Sequence, residues 1–157
     1  MSYLHHLVIV RSSVPMRSQG IFGVGLLNDR WKCVTMEPAV GCIPPGTYNA
    51  YTHRSIVLHD AELQAMGTYE LQAVPGHDHV EILPACFAGD ATQGFYSDML
   101  GKIALGRTVD TMRPPGSRKH QMALTGSRVA HLDFALQTGG VGLRVEIVED
   151  KDHGTAR

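Results

Sequence analysis

The apolar residues of this chain fall in short runs, each cut off by Gly, Pro, Asn or Asp before a helical stripe can accumulate. That punctuation favours strands, which need only a handful of residues, over helices, which need ten or more. His6 to Arg11 is rich in Val and Ile, and Gly20 to Leu27 interleaves glycine with Ile, Phe, Val and Leu. Ser12 to Gln19 connects them, and Asn28-Asp29-Arg30 has the chemistry of a hairpin turn into an alternating run, Trp31 to Met36. After the Gly41-Cys42-Ile43-Pro44-Pro45-Gly46 loop, strands are expected at Thr47 to His53, Tyr69 to Val74, His79 to Leu83, Lys102 to Val109 and Leu143 to Val148.

Only one segment reads as a helix. Ser127 can cap a run to Leu136 in which Val129, Leu132 and Leu136 share a face with Ala135, and Gly139-Gly140 stop it. The expected fold is mainly β with an α+β element: a compact small barrel or sandwich of about eight short strands with one C-terminal helix. Residues 1–157 are expected to form a single β-rich domain, since the length suits one hydrophobic core. Residues 149–157 read as a polar C-terminal tail that should fray.

Charge excludes some partners. Fourteen Lys and Arg against fifteen Asp and Glu leave a net charge of −1, so no global field draws the chain to nucleic acid or to anionic lipid. The N-terminus lacks a basic start and apolar core, and no apolar stretch reaches the roughly 18 residues of a membrane span. The expectation is synthesis in a cytoplasm without a signal peptide. Cys33, Cys42 and Cys86 fit neither an even disulfide framework nor a zinc pattern; they read as small buried hydrophobes, with a reactive thiol or an intermolecular disulfide left open.

The chemistry-bearing candidates are few. Among nine histidines, the sharpest grouping is His77-Asp78-His79-Val80-Glu81, where an extended backbone would turn His77, His79 and Glu81 to one face as metal ligands. Because Pro75-Gly76 precedes it, a solvated turn leading into a strand is the stronger reading, and neither metal nor cofactor is expected. Cys86 could serve as a nucleophile with His77 or His79 as base, against the plainer reading of a structural thiol. Gly89 to Gly94 lacks the Gly-Lys-Ser/Thr ending of a phosphate loop and reads as a turn. Asp110 to Gly126 reads as a 17-residue loop with little periodicity; Arg107, Arg113, Arg118, Lys119 and His120 give this region a positive bias opposed only by Asp110. A loop that long in a compact domain suggests docking, here on an acidic partner surface.

Thr35-Met36-Glu37-Pro38, Ile43-Pro44-Pro45-Gly46-Thr47-Tyr48, Val80-Glu81-Ile82-Leu83-Pro84 and the Asp90 to Gly94 loop together resemble a small domain family of unknown function common in phages and prophages. That family reads T-x-E, I-P-x-G-x-Y, I-H-x-G-N, D-T-x-G-C-I, then a Ser-led helix and a final strand, and the order matches over Val8 to Val148. Its His and Gly-Cys pair is in turn similar to the motif of L,D-transpeptidases, in which a Cys attacks a peptidoglycan peptide and a His acts as base. In this chain the His position falls on Leu83, the Asn position on Cys86, and Gly-Cys-Ile on Gly94-Phe95-Tyr96, with one residue inserted between Asp90 and Gly94. Leu83 cannot accept a proton and Phe95 cannot attack, so only scaffold residues carry over.

The resemblance implies a non-enzymatic structural or assembly subunit of a phage-like particle, in the capsid, neck, tail or baseplate. It would contact other protein subunits through its termini and the 110–126 segment, with self-association open and its final location in the virion. One alternative is a peptidoglycan-peptide-acting enzyme with a rearranged Cys86 and His77 or His79 site. Another is a host-surface carbohydrate-binding module using Trp31, Tyr48, Tyr51, Tyr69 and Tyr96 as stacking platforms.

Overall fold

A computed structural model of the chain describes residues 5–12 and 17–150. The fold is mainly β, as the punctuated apolar runs require, and holds ten strands and two α-helices among the described residues. In chain order the elements are β1 (His5–Arg11), β2 (Ile21–Leu27), β3 (Trp31–Glu37), β4 (Gly46–His53), α1 (Ala61–Met66), β5 (Thr68–Leu71) and β6 (Val80–Glu81). They continue with a 3₁₀ turn at Ala91–Gln93, β7 (Ala104–Gly106), β8 (Thr108–Met112), β9 (Gln121–Thr125), α2 (Ser127–Thr138) and β10 (Leu143–Glu149).

Eight strands form one sheet in the order β6-β5-β4-β10-β1-β2-β3-β7, curled into a half-barrel, and β8 and β9 form a separate hairpin. The first and last strands lie side by side in the middle of the large sheet, β1 and β10 being parallel with Leu7 opposite Val145 and Ile9 opposite Ile147. Every other strand pair is antiparallel. Alternation explains which face is inside: Leu7 and Ile9 of β1, Leu143, Val145 and Ile147 of β10, and Tyr48 and Ala50 of β4 turn inward and are buried.

Helix α2 closes the open side of the curl. Ala130 and Phe134 enter the cluster formed by the inward residues of the sheet, and the Phe134 ring lies 5.6 Å from Trp31 and 5.8 Å from Tyr69. Full burial of side chains of this size contributes about 1.5–3 kcal/mol each. A second cluster around Met36, Ala104 and Leu124 joins β3 and β7 to β9.

One position in β2 has no room for a side chain. A Cβ at Gly23 in β2 would lie 2.4 Å from the Val10 carbonyl oxygen and 2.9 Å from Thr35 Oγ1. Backbone on one side cannot give way, so Gly23→Ala is expected to lower stability by about 1–3 kcal/mol in urea unfolding. A variant as stable as the parent would show that the neighbouring strands can move apart there at no cost.

Several boundaries differ from the sequence reading. Residues 110–126 are not an aperiodic loop: Asp110 to Met112 complete β8 and Gln121 to Thr125 form β9, leaving residues 113–120 and Gly126 outside strands. Helix α2 is not capped by the Ser127 side chain; Gly126, in the left-handed region, occupies the cap position, and Ser127 Oγ donates to the Leu105 carbonyl at 2.7 Å. Its buried face is Ala130, His131, Phe134 and Thr138, whereas Val129 and Leu136 face solvent. Gly139, with φ of 61°, does end the helix.

Strand β10 takes Glu149, the first residue of the expected tail, into the sheet opposite Arg11. The rest of that tail beyond Asp150, and the N-terminal end expected to touch neighbours, lie outside the described residues.

Candidate functional site

Two of the four segments that carry the resemblance, those at Thr35 to Pro38 and Ile43 to Tyr48, build a buried polar node. β1 ends on Arg11, on the inward face two residues beyond Ile9, and there it meets Glu37, the acid of the Thr35-Met36-Glu37 motif. The pairing is bidentate: Arg11 Nε donates to Glu37 Oε2 at 2.8 Å and Nη2 to Oε1 at 2.6 Å. Arg11 Nη2 also donates to the Ile43 carbonyl at 2.6 Å, and Nη1 to Glu149 Oε1 at 3.2 Å. Tyr48, at the other end of the Ile43 to Tyr48 motif, donates to the Pro44 carbonyl at 2.6 Å.

Arg11 is 2% exposed and Glu37 is 0% exposed, so the node is a tie between β1, β3, β10 and the 38–45 connection rather than a surface for a ligand. Burial pulls the Arg11 guanidinium down, but its carboxylate partners outweigh that and hold it protonated. Arg11 was not among the candidates read from sequence. The signal was its place in the Leu7, Ile9, Arg11 alternation, which puts a charge on a core face.

The positions that the resemblance assigns to catalysis are apolar and lie in different packing environments. Leu83 is fully buried with Leu58 and Leu63, against Leu132 of α2. Phe95 is half-buried; its backbone N–H donates to the Asp90 carbonyl at 3.0 Å. Asp90 caps the 3₁₀ turn, its Oδ1 accepting from the Thr92 N–H at 2.9 Å, and Gly94, with φ of 85°, closes it.

The His77, Asp78, His79 run is not extended. It follows a turn, His79 has φ of 52° and is exposed, and Glu81 is buried in β6 with Oε1 2.8 Å from His53 Nε2. The one-face metal geometry is therefore lost, and no group of three His, Cys, Asp or Glu among the described residues is arranged to hold a metal ion.

The 107–127 region forms an arm with one buried and one exposed strand. β9 is bolted to the body: Gln121, 2% exposed, donates from Nε2 to the Tyr96 carbonyl at 2.7 Å and accepts from the Tyr96 N–H at 2.9 Å. The Met122 N–H donates to Gln19 Oε1 at 2.7 Å, and the Leu124 N–H to the Cys86 carbonyl at 2.8 Å. Among the described residues β8 pairs only with β9, and all five of its residues are exposed.

Beyond β8 the connection carries Arg113, Arg118, Lys119 and His120, all exposed, with Pro114 tucked in. Arg107 stands at the root, 4.0 Å from Asp133. The arm thus presents an open strand edge with a cationic tip, and Asp110 as its acid, whose Oδ1 takes up the Thr111 N–H at 2.8 Å.

A cleft of about 420 Å³ opens at the base of the arm, between Pro84, Ala85, Cys86 and Asp98 on one wall and Met112, Leu124, Thr125, Gly126 and Ser127 on the other. Asp98 Oδ1 is already engaged by the Cys86 and Phe87 N–H groups at 2.9 and 2.8 Å. No histidine is among the residues that line the cleft, so His77 and His79 do not join Cys86 there. Burial, aided by the Asp98 charge, pushes the Cys86 thiol up, the wrong direction for a nucleophile.

Alkylation of the native chain by iodoacetamide at neutral pH is accordingly expected to be slower at Cys86 than in the unfolded chain, read by peptide mass spectrometry. Faster native labelling would reveal an activated thiol. Cys33 is buried, its thiol pushed up to about 12; Cys42 and Cys86 are half-buried, and all three are free.

The aromatic residues do not form a platform. Tyr48 and Tyr69 are buried, and Trp31 packs on Phe134 while donating to Asp133 Oδ2 at 2.7 Å. Tyr51 of β4 and Tyr96, whose ring meets Phe87 edge-on, are the exposed ones. No helix among the described residues is long and apolar enough to cross a membrane. Comparison with family models, with curated proteins and with solved structures finds no match to the chain.

Proposed function

We propose that the chain works by contact rather than catalysis, as a structural or assembly subunit of a phage-like particle that docks through the β8–β9 arm on an acidic surface of a neighbouring subunit. The observation that carries this reading is β8: a strand with every residue exposed and, among the described residues, one edge unpaired. Natural proteins cover or blunt such edges, because an open edge is a template for a further strand. A partner that pairs with β8 would cover it, and Arg113, Arg118 and Lys119 at the tip would favour an acidic one.

Three further features support the absence of catalysis. Leu83 and Phe95 stand where the resembling family has its His and Cys, the Cys86 thiol is shifted away from reactivity, and two of the four resembling segments are spent on the Arg11 node. Such a chain would be made in the cytoplasm and carried into the virion. The test is particle composition: mass spectrometry of particles purified from the strain that encodes the chain should detect it in fixed proportion to the other particle proteins. Its consistent absence from them would overturn the proposal.

A further inference from the structure

Asp110 is the one charge in β8 and sits at its centre, between Thr108-Val109 and Thr111-Met112. The backbone of β9 shows which of these residues look outward. The Met122 N–H turns away from β8 to Gln19 Oε1 at 2.7 Å, and the Leu124 N–H to the Cys86 carbonyl at 2.8 Å. In an antiparallel pair, opposite residues alternate between those that exchange hydrogen bonds and those that turn their backbone groups to the far side. Thr111 stands opposite Met122 and Val109 opposite Leu124, so these two residues aim their N–H and C=O groups at the open edge.

One of those groups is already taken. The Thr111 N–H donates to Asp110 Oδ1 at 2.8 Å, so the carboxylate at the centre of the strand occupies a donor that a further strand would need.

A second copy of β8 meets this block from both sides. Antiparallel pairing through the open edges must join Val109 and Thr111, and the register that overlaps all five residues sets Val109 of each copy against Thr111 of the other and Asp110 against Asp110. That central position is a non-hydrogen-bonded pair, where side chains lie closest and like charges oppose pairing. Each Thr111 N–H also stays tied to its own Asp110. A Lys or Arg at the same position of an incoming strand has the opposite effect. It attracts the carboxylate and, by drawing it off the Thr111 N–H, frees that donor for the new ladder.

We propose that Asp110 sets the specificity of the open edge of β8, which rejects a second copy of the chain and accepts an extended strand of another subunit that carries a Lys or Arg opposite Asp110. This pairing rule rests on the arm as a docking element and gives its partner a charge pattern: a base opposite Asp110, and acids where Arg113, Arg118 and Lys119 land.

The test is analytical ultracentrifugation of the whole chain with reductant present, from about 1 μM to about 1 mM, with an Asp110→Lys chain as the source of a strand that carries the base. The wild type and Asp110→Lys should each stay monomeric, because like charges meet, whereas their equimolar mixture should form a one-to-one dimer that weakens as salt is added. Asp110→Thr, which removes the charge, should self-associate at least about tenfold more tightly than the wild type. Adding Thr111→Pro to the Asp110→Lys chain deletes the edge donor and should abolish pairing in the mixture. Position 110 is exposed, and circular dichroism and melting temperature check that each variant folds. A mixture that stays monomeric, an Asp110→Thr chain that associates no more tightly than the wild type, or a mixture that pairs undiminished with Thr111→Pro overturns the proposal. Particle composition judges the docking role and strand pairing in the mixture judges Asp110, so the two can fail separately.

Discussion

Replacing Arg11 with Met while Glu37 is retained is expected to lower the stability of the chain by about 3–5 kcal/mol, the range for breaking a buried ion pair and stranding one charge. Both Glu37 oxygens are occupied by Arg11, and the carboxylate has no exposure to water. Losing the guanidinium also removes the donor to the Ile43 carbonyl and to Glu149, so three strands and the 38–45 connection lose their tie together. The companion variant Arg11→Met/Glu37→Leu should recover a large part of the loss, because it removes the stranded charge and leaves an apolar pair in an apolar setting. Urea unfolding of the parent, both single variants and the double variant closes the cycle. A cost below about 1 kcal/mol for Arg11→Met would mean that the node is peripheral to the fold.

The second large effect is acid sensitivity centred on His131. This side chain is buried in α2, and its Nε2 accepts the Leu105 N–H at 3.0 Å, which requires the neutral ring. Burial lowers its pKa to about 3. An unfolded chain takes up a proton there below about pH 6.5, whereas the folded chain does not until the pH approaches 3. Between those values the unfolded state holds more protons, so stability falls as the pH falls, at up to about 1.4 kcal/mol per pH unit.

Asp60 and Glu149, both held low by arginine partners, add losses of their own only in the carboxylate range. Comparison between about pH 6.5 and pH 5 with His131→Gln, which keeps an acceptor for Leu105 but does not titrate, isolates the histidine. The wild type should lose stability relative to the variant across that interval. Parallel profiles would contradict a buried neutral His131.

The strands that build the large sheet were legible because they alternate against one core. β1 to β4 and β10 lie close to where the Val, Ile, Leu and Thr runs place them. β8 was legible only at Thr108 and Val109, the end of the expected Lys102 to Val109 strand: with all five residues exposed it has no buried face, so Thr108-Val109-Asp110-Thr111-Met112 carries no core-facing alternation. α1 is a six-residue helix that buries only Leu63, too little for a periodic signal.

In α2 the eye goes to Val129, Leu132 and Leu136, yet the sheet receives Ala130, His131, Phe134 and Thr138. One large ring between small neighbours fits there, and His131 finds a backbone donor. The helix register was therefore hidden by apolar residues on both sides.

For the site, the Glu37 and Ile43 to Tyr48 motifs could be recognised as patterns, but their common partner Arg11 emerged only when β1 and β3 were set two strands apart in one sheet. The His77, His79 and Glu81 alternation failed because the positive φ at His79 breaks the strand before Val80.

Quantitative mass spectrometry of purified particles, with the wild-type chain or an Arg113→Glu/Arg118→Glu/Lys119→Glu variant as the sole copy, tests the docking role of the arm most directly. All three side chains are exposed, so the variant should fold as the parent does, checked by circular dichroism and melting temperature. The account predicts a fixed ratio of wild-type chain to the other particle proteins and a depletion of at least about tenfold for the variant, the effect of setting like charges against an acidic partner. A folded variant incorporated at the wild-type ratio would contradict it.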